Sequence, residues 1–251
     1  MLNIVVPMAG AGSRFTKAGY VDPKPLINVN GIPMIKLVIQ NLRPLVPHRF
    51  IFICQKSHLE RYSLSQNLSK WSSGCTVISI DGITEGAACT VLKAREFIDN
   101  DDALMIANSD QYVDVSIDTY LQASQKNKLD GLIMTMKAND PKWSYAGIEN
   151  NLVTRVVEKE VISDEATVGI YNFSKGRDFV TAADQMIKKD LRVNNEFYVA
   201  PTYNELVVIG KKIGVYNIGS EADGMYGLGI PADLDYFLGT ELCEAATSGD
   251  K

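Results

Sequence analysis

An unbroken apolar run, Leu2 to Val6, opens the chain and breaks into the small-residue turn Gly10-Ala11-Gly12-Ser13-Arg14. Such a run bounded by glycine predicts a strand buried on both faces. From Met34 the spacing becomes helical: Met34, Ile35, Val38, Leu42 and Leu45 fall on one face. Phe50–Ile53 reads as the next strand, followed by a short helix from Ser57 and the strand Thr76–Ile80. A helix carrying Ala88, Val91, Leu92 and Arg95 then precedes a short buried strand, Ala103–Ala107. Strands alternating with helices predict a mostly parallel sheet with helices on both faces.

The second half changes character. Leu132–Lys137, Ala146–Glu149, Val153–Val157 and Val168–Phe173 follow closely, with a turn at Asn150-Asn151, and predict an antiparallel patch beside the parallel sheet. A helix over Asp178–Ile187, a segment Tyr203–Ile209 and a strand Ile213–Ile218 come next. Pro231 suits the first turn of a last helix. The polar tail from Thr247 is expected to fray. The expectation is one α/β domain over 1–251, with a first lobe to about residue 130 and a second beyond it.

Composition narrows the partners. At 251 residues and 46% hydrophobic content the chain can bury a sizeable core. Its formal charge of −5 speaks against a nucleic-acid or membrane partner, and not against a small anionic substrate. No apolar stretch approaches a membrane span, and the N-terminus has neither a charged n-region nor a cleavage site, so a cytoplasmic protein is expected. Cys54, Cys75, Cys89 and Cys243 show no C-x-x-C spacing and read as structural residues of a reducing compartment. His48 and His58 suit neither a zinc site nor a triad and are expected at the surface.

A buried strand ending in a glycine loop with a basic residue behind it suits a phosphate group, because backbone N–H groups can approach the anion. The dinucleotide fingerprint fails here: Phe15 occupies the third glycine position, and the strand Arg49–Ile53 ends in Cys54-Gln55 rather than an acidic residue. The P-loop fails too, since no Gly-Lys-Ser/Thr closes the run. A plain solvated glycine turn remains the alternative for the loop alone. Pro23-Lys24-Pro25-Leu26 adds a second basic residue, held extended between prolines.

Gly10-Ala11-Gly12-Ser13-Arg14-Phe15, then Pro23-Lys24-Pro25-Leu26, then Gly31-Ile32-Pro33-Met34, resembles the signature of the sugar-phosphate nucleotidyltransferases. The resemblance runs through nearly the whole chain. It implies a three-layer, Rossmann-like sheet of the GT-A type, a nucleotide lobe followed by an acceptor lobe, and magnesium as cofactor. The implied partners are a nucleoside triphosphate and a phosphorylated small molecule. The reaction transfers a nucleoside monophosphate and releases pyrophosphate. It needs positioning and charge neutralisation rather than a general base, because a phosphate monoester is largely dianionic near neutral pH, with a second pKa of about 6.

The resemblance places Arg14 at the β- and γ-phosphates and Lys24 at the α-phosphate. It gives Met8, Ala9, Gly10, Ala11, Gly12, Ser13 and Ser109 to the nucleotide. Asp110, at the carboxyl end of a strand, takes the place of a magnesium ligand. Gly229-Ile230-Pro231-Ala232-Asp233-Leu234 is similar to a late family segment, yet Tyr226-Gly227-Leu228 before it lacks the family's aspartate. Asp223 and Asp233 stay open as second ligands, and Asp233 also reads as a helix-start residue. Base recognition falls on Thr84 to Ala88, with Glu85, Gly86 and Ala87 against the base; an ordinary helix start capped by Thr84 is the alternative. Asp81 lies where relatives present an amide, and its carboxylate would accept from the amino group of cytosine.

On the acceptor side the resemblance points to Tyr145, Gly147, Glu158, Lys159 and Thr167. A residue is inserted between Tyr145 and Gly147, and Glu160 stands where the family has proline. A solvated Glu-Lys pair on a hairpin is the plain alternative for Glu158 and Lys159. Asn195-Glu196-Phe197-Tyr198 resembles a family segment near the acceptor, with Tyr198 expected to pack. Within the family the pattern is most similar to the cytidylyltransferases of bacterial capsule phosphoramidate synthesis, which implies CTP and phosphoglutamine, giving CDP-glutamine. Sugar-1-phosphate cytidylyl-, uridylyl- or thymidylyl transfer is the runner-up. From other classes, a glycosyltransferase would want Asp-x-Asp where this chain has Asn108-Ser109-Asp110, and a non-catalytic nucleotide-binding regulator would need fewer of the charged residues. The oligomeric state stays open.

Overall fold

The computed structural model describes residues 1–248. The strands are β1 Leu2–Pro7, β2 Asn28–Val29, β3 Ile32–Pro33, β4 His48–Gln55, β5 Thr76–Ile80, β6 Ala103–Ala107 and β7 Gln111–Val113. They continue with β8 Gly131–Lys137, β9 Ser144–Glu149, β10 Leu152–Glu158, β11 Glu165–Phe173, β12 Ile213–Glu221 and β13 Gly224–Gly227. Side chains alternate across a strand, and here both sets are apolar. Ile4 and Val6 of β1 meet Phe50 and Phe52 of β4 on one face, whereas Val5 meets Ile51 and Ile53 on the other. Helices Met34–Asn41, Leu64–Trp71 and Ile117–Lys126 cover the first face. Gly176–Lys188 and Thr202–Val208 cover the second. The result is the expected three-layer mixed α/β fold.

Among the described residues the main sheet has eleven strands, with the path β5-β4-β1-β6-β11-β8-β12-β13-β7. The first four strands are parallel. β11 then runs antiparallel between β6 and β8, so segments before and after residue 130 share one sheet. The β9–β10 hairpin hangs from β11 as the antiparallel patch. β7 and β13 form a short antiparallel ladder at the far edge that places Gly227 opposite Gln111.

A third core joins the two ends of the chain. Phe15, Ile27, Val29, Ile32 and Met34 pack with Leu228, Leu234 and Phe237. The N-terminal basic loop is thereby fixed against the C-terminal helices Pro231–Leu238 and Glu241–Thr247. Pro231 is at the first helical position, as expected.

Several expectations are corrected. The helix from Met34 ends at Asn41; Leu42 is its buried cap, but Leu45 is 93% exposed, because Pro44 and Pro47 stop the helical spacing. Thr247 does not fray: it is buried, and its hydroxyl accepts from Asn30 Nδ2 at 2.7 Å. The rest of that tail, 249–251, lies outside the described residues. His48 and His58 are partly exposed, as expected of surface residues. The cysteines are free thiols, and burial pushes the Cys54 thiol up to about 12. Among the described residues no helix is long and apolar enough to cross a membrane.

Candidate active site

The site forms where β1 and β6 end. Gly12 takes a left-handed conformation, φ +60°, to turn the chain into the short helix Ser13–Lys17. Phe15, the residue that breaks the dinucleotide fingerprint, is 1% exposed and anchors this turn edge-on to Tyr20. Arg14, one residue earlier, is left exposed beside the cleft. Gln55 at the end of β4 donates to the Ala9 carbonyl at 2.7 Å and ties the loop to the sheet. Pro23 is extended and Pro25 buried, so the Lys24 backbone is held from both sides. Lys24 Nζ meets Asp110 Oδ2 at 2.7 Å with both side chains about one-quarter exposed.

Two cavities open near the ends of these strands, and Asn108, two residues before Asp110, lines both. One, of about 320 Å³, is lined by Ala9, Gly10, Ala11, Thr84, Gly86, Ala87 and Asn108, together with Glu196. The other, of about 300 Å³, is lined by Arg14, Lys142, Trp143, Glu158, Lys159, Thr167, Tyr171 and Tyr198. They share Ala87 and Asn108, so the two spaces meet.

The predicted residues divide accordingly. Ala9, Gly10, Ala11, Gly86 and Ala87 line the first cavity. Met8 is buried in the core, and Ser109 is buried too. Asp81 and Glu85 line an adjoining hollow with Lys93 and Cys89, which shares Ile83 and Thr84 with the first cavity. Thr84 does not cap the helix Ala87–Val91, whose N-cap is Gly86; its hydroxyl donates to the Gly86 carbonyl at 2.9 Å. Glu158, Lys159 and Thr167 line the second cavity. Tyr145 packs in the core with its hydroxyl on the Asp140 carbonyl, and Gly147 faces Arg155 and Ile162. Lys142 and Trp143 were not singled out from sequence, because no spacing marks them; Asn108 and Tyr171 lay within segments read there, Asn108-Ser109-Asp110 and the strand Val168–Phe173, but were given no role. Tyr198 reaches the cavity instead of only packing.

Glu158 and Lys159 form more than a solvated pair. The Glu158 side chain is 4% exposed, accepts from the Ser144 hydroxyl, and meets Lys159 Nζ at 3.0 Å. Lys159 adopts φ +59°, uncommon for a residue with a Cβ. Its ammonium bonds the Tyr198 hydroxyl at 3.0 Å and lies 4.5 Å from that ring's centre. Burial pulls the Lys159 pKa down, but the bonds to Tyr198 and Glu158 outweigh it and raise the pKa above that of an ordinary lysine. This cation therefore stays charged at neutral pH.

Residues 4–199 match the family described as nucleotidyl transferase. The chain belongs to that family. Among solved structures it is similar to a nucleoside-diphosphate-sugar pyrophosphorylase from Vibrio cholerae RC9, with TM-score 0.82, 25% identity and coverage of 94% of this chain and 100% of that one. An inositol-1-phosphate CTP transferase from T. maritima shares the fold, with TM-score 0.72, 15% identity and coverage of 98% and 94%. No curated protein matches the sequence.

Members of this family generally use divalent metal ions. Among the described residues no cluster of three or more His, Cys, Asp or Glu side chains would suit a metal. A phosphate-bound magnesium, however, needs only one or two protein carboxylates. Two glycines make room for such a pair. A Cβ on Gly229 would sit 2.6 Å from Asp110 Oδ2, and one on Gly227 would sit 3.0 Å from Asp233 Oδ2. The Leu228 N–H between them donates to the Asp110 carbonyl at 2.8 Å. Burial raises the Asp233 pKa; Glu221 and Asp110 add to the rise, while Lys142 and Arg14 oppose it. Asp223 is instead exposed in the turn between β12 and β13. Hard oxygen donors beside a cationic loop fit magnesium carrying a triphosphate.

Proposed function

We propose that the protein is a magnesium-dependent cytidylyltransferase that moves CMP from CTP to phosphoglutamine, releasing pyrophosphate. The observation that carries the transfer is the wall at Ala87 and Asn108 that a cavity on the glycine loop shares with one holding Arg14 and Lys159, with the Lys24–Asp110 pair two residues along the chain from Asn108. In this reading the first cavity takes base and ribose, and the second takes the acceptor. An acceptor phosphate oxygen bonds to the α-phosphorus as the bond to the β-phosphate oxygen breaks.

The chain's own residues supply positioning and charge. Lys24 neutralises the α-phosphate where charge builds, and Arg14, with its planar fork, holds the leaving pyrophosphate. Lys159, with Lys142 nearby, receives the acceptor's anionic end, while Glu158 orients its polar groups. Asp110 and Asp233 would hold magnesium, which supplies charge neutralisation on the triphosphate.

Cytidine and phosphoglutamine rest on the whole-chain resemblance and on the departures at Tyr145–Gly147 and Glu160. A sugar 1-phosphate acceptor is the second reading, favoured by the likeness to the Vibrio cholerae pyrophosphorylase. Pyrophosphate release measured with the four NTPs against phosphoglutamine and sugar 1-phosphates separates them. The expected result is release with CTP and phosphoglutamine; release only with a sugar 1-phosphate moves the assignment to the second reading.

A further inference from the structure

The cavity beside the glycine loop offers a ligand few free side-chain groups. The Thr84 and Thr90 hydroxyls are engaged with each other and with the Gly86 carbonyl, at 2.6 to 3.2 Å. Glu196 is the one charged side chain in that lining among the described residues. Its carboxylate has no hydrogen-bond or ion-pair partner among them. Arg192, four residues earlier, is held elsewhere, by Glu85 at 2.7 Å and Asp190 at 2.5 Å.

The backbone that carries Glu196 is well fixed. Val193 and Glu196 exchange two backbone hydrogen bonds across a turn in which Asn194 and Asn195 are both left-handed, a conformation asparagine tolerates. The next residue, Phe197, is buried against Ala88 and Met186. Its N–H donates to the Glu85 carbonyl at 2.8 Å, and its carbonyl accepts from Ala88 N–H at 3.0 Å. Gly86 allows this clamp, since a Cβ there would lie 2.4 Å from the Phe197 oxygen. A segment from the acceptor half of the chain is thus pinned to the wall of the first cavity, with a carboxylate at its rim.

We propose that Glu196 determines base specificity, accepting a hydrogen bond from an exocyclic amino group and so selecting cytosine over uracil. An ionised carboxylate can only accept. Cytosine offers it an amino donor, whereas uracil places a carbonyl oxygen at the same ring position, facing the anion. At the exposed rim where Glu196 sits, the amino donor gains a charge-assisted hydrogen bond that the uracil carbonyl replaces with repulsion. Asp81, the carboxylate first expected in this role, lines the adjoining hollow and not the first cavity itself.

The inference deepens the cytidylyltransferase reading and rests on its choice of cavity for the base, but it can be tested by binding alone. CTP and UTP would be titrated, each with magnesium, into the wild-type protein and into Glu196→Gln and Glu196→Asp. Wild type is expected to bind CTP at least about tenfold more tightly than UTP, as for a charged hydrogen bond. Glu196→Gln, whose amide both donates and accepts, should bring the ratio close to one, with Glu196→Asp in between and melting temperatures unchanged. An unaltered ratio in Glu196→Gln overturns the role of Glu196, and equal wild-type affinities overturn the selection of an amino base. CTP-selective binding that depends on Glu196, without pyrophosphate release, would sustain this inference and sink the transferase reading instead.

Discussion

Lys24 and Asp110 are 86 positions apart in the chain and 2.7 Å apart in space. A lysine at the α-phosphate acts mainly as charge builds in the transition state. Lys24→Ala should therefore lower kcat by about 10²–10³-fold, as for removal of a preorganised donor, while the Kd for CTP changes only a few-fold. Equal losses in both would contradict that role. The second carboxylate makes a separate prediction. Asp233→Asn should weaken Mn²⁺ binding in the presence of nucleotide by about tenfold, read by electron paramagnetic resonance, whereas Asp223→Asn should not. The reverse pattern would move the ligand to Asp223. Arg14, Lys24 and Asp110 stood out in the sequence as candidates because short motifs carry them. Asp233 was not decided there, since its place depends on Gly227 leaving room for it from the next helix. Lys142 and Trp143 had no local signal at all.

At the scale of elements, apolar runs marked β1, β4 and β6, because their burial is written into consecutive residues, while β5, a half-buried edge strand, was marked by its β-branched residues. The helix Ile117–Lys126 was missed despite a readable pattern: Ser116 caps it, and Ile117, Tyr120, Leu121 and Ser124 are buried at helical spacing. The β7–β13 ladder was illegible for a different reason, as strands of three and four residues are too short to show a period. The clamp of Phe197 on the Glu85–Ala88 segment depends on Gly86, which sits at φ +129°. Gly86→Ala should thus cost about 1–3 kcal/mol by overpacking, lower the melting temperature by roughly 3–8 °C, and weaken nucleotide binding as the loop shifts. Unchanged thermal unfolding and binding would show that the clamp is not needed.

Across the whole molecule, the fold class was readable from strand and helix alternation, but the meeting of two cavities was not. That junction depends on β11 entering between β6 and β8, and on a third core that brings Leu228 to Phe237 against the N-terminal loop. Both are long-range pairings that no window of sequence contains. The two cavities consequently share a wall at Ala87 and Asn108. The central claim is that this junction joins the α-phosphorus of a nucleotide to an acceptor phosphate. ³¹P NMR of CTP, magnesium and phosphoglutamine with the protein tests it directly. The predicted result is two mutually coupled phosphorus signals of a new diphosphate bridge, with one pyrophosphate released per bridge formed and neither seen with Lys24→Ala. Inorganic phosphate without such a bridge, or CTP left unchanged beside every phosphorylated acceptor supplied, would contradict the account.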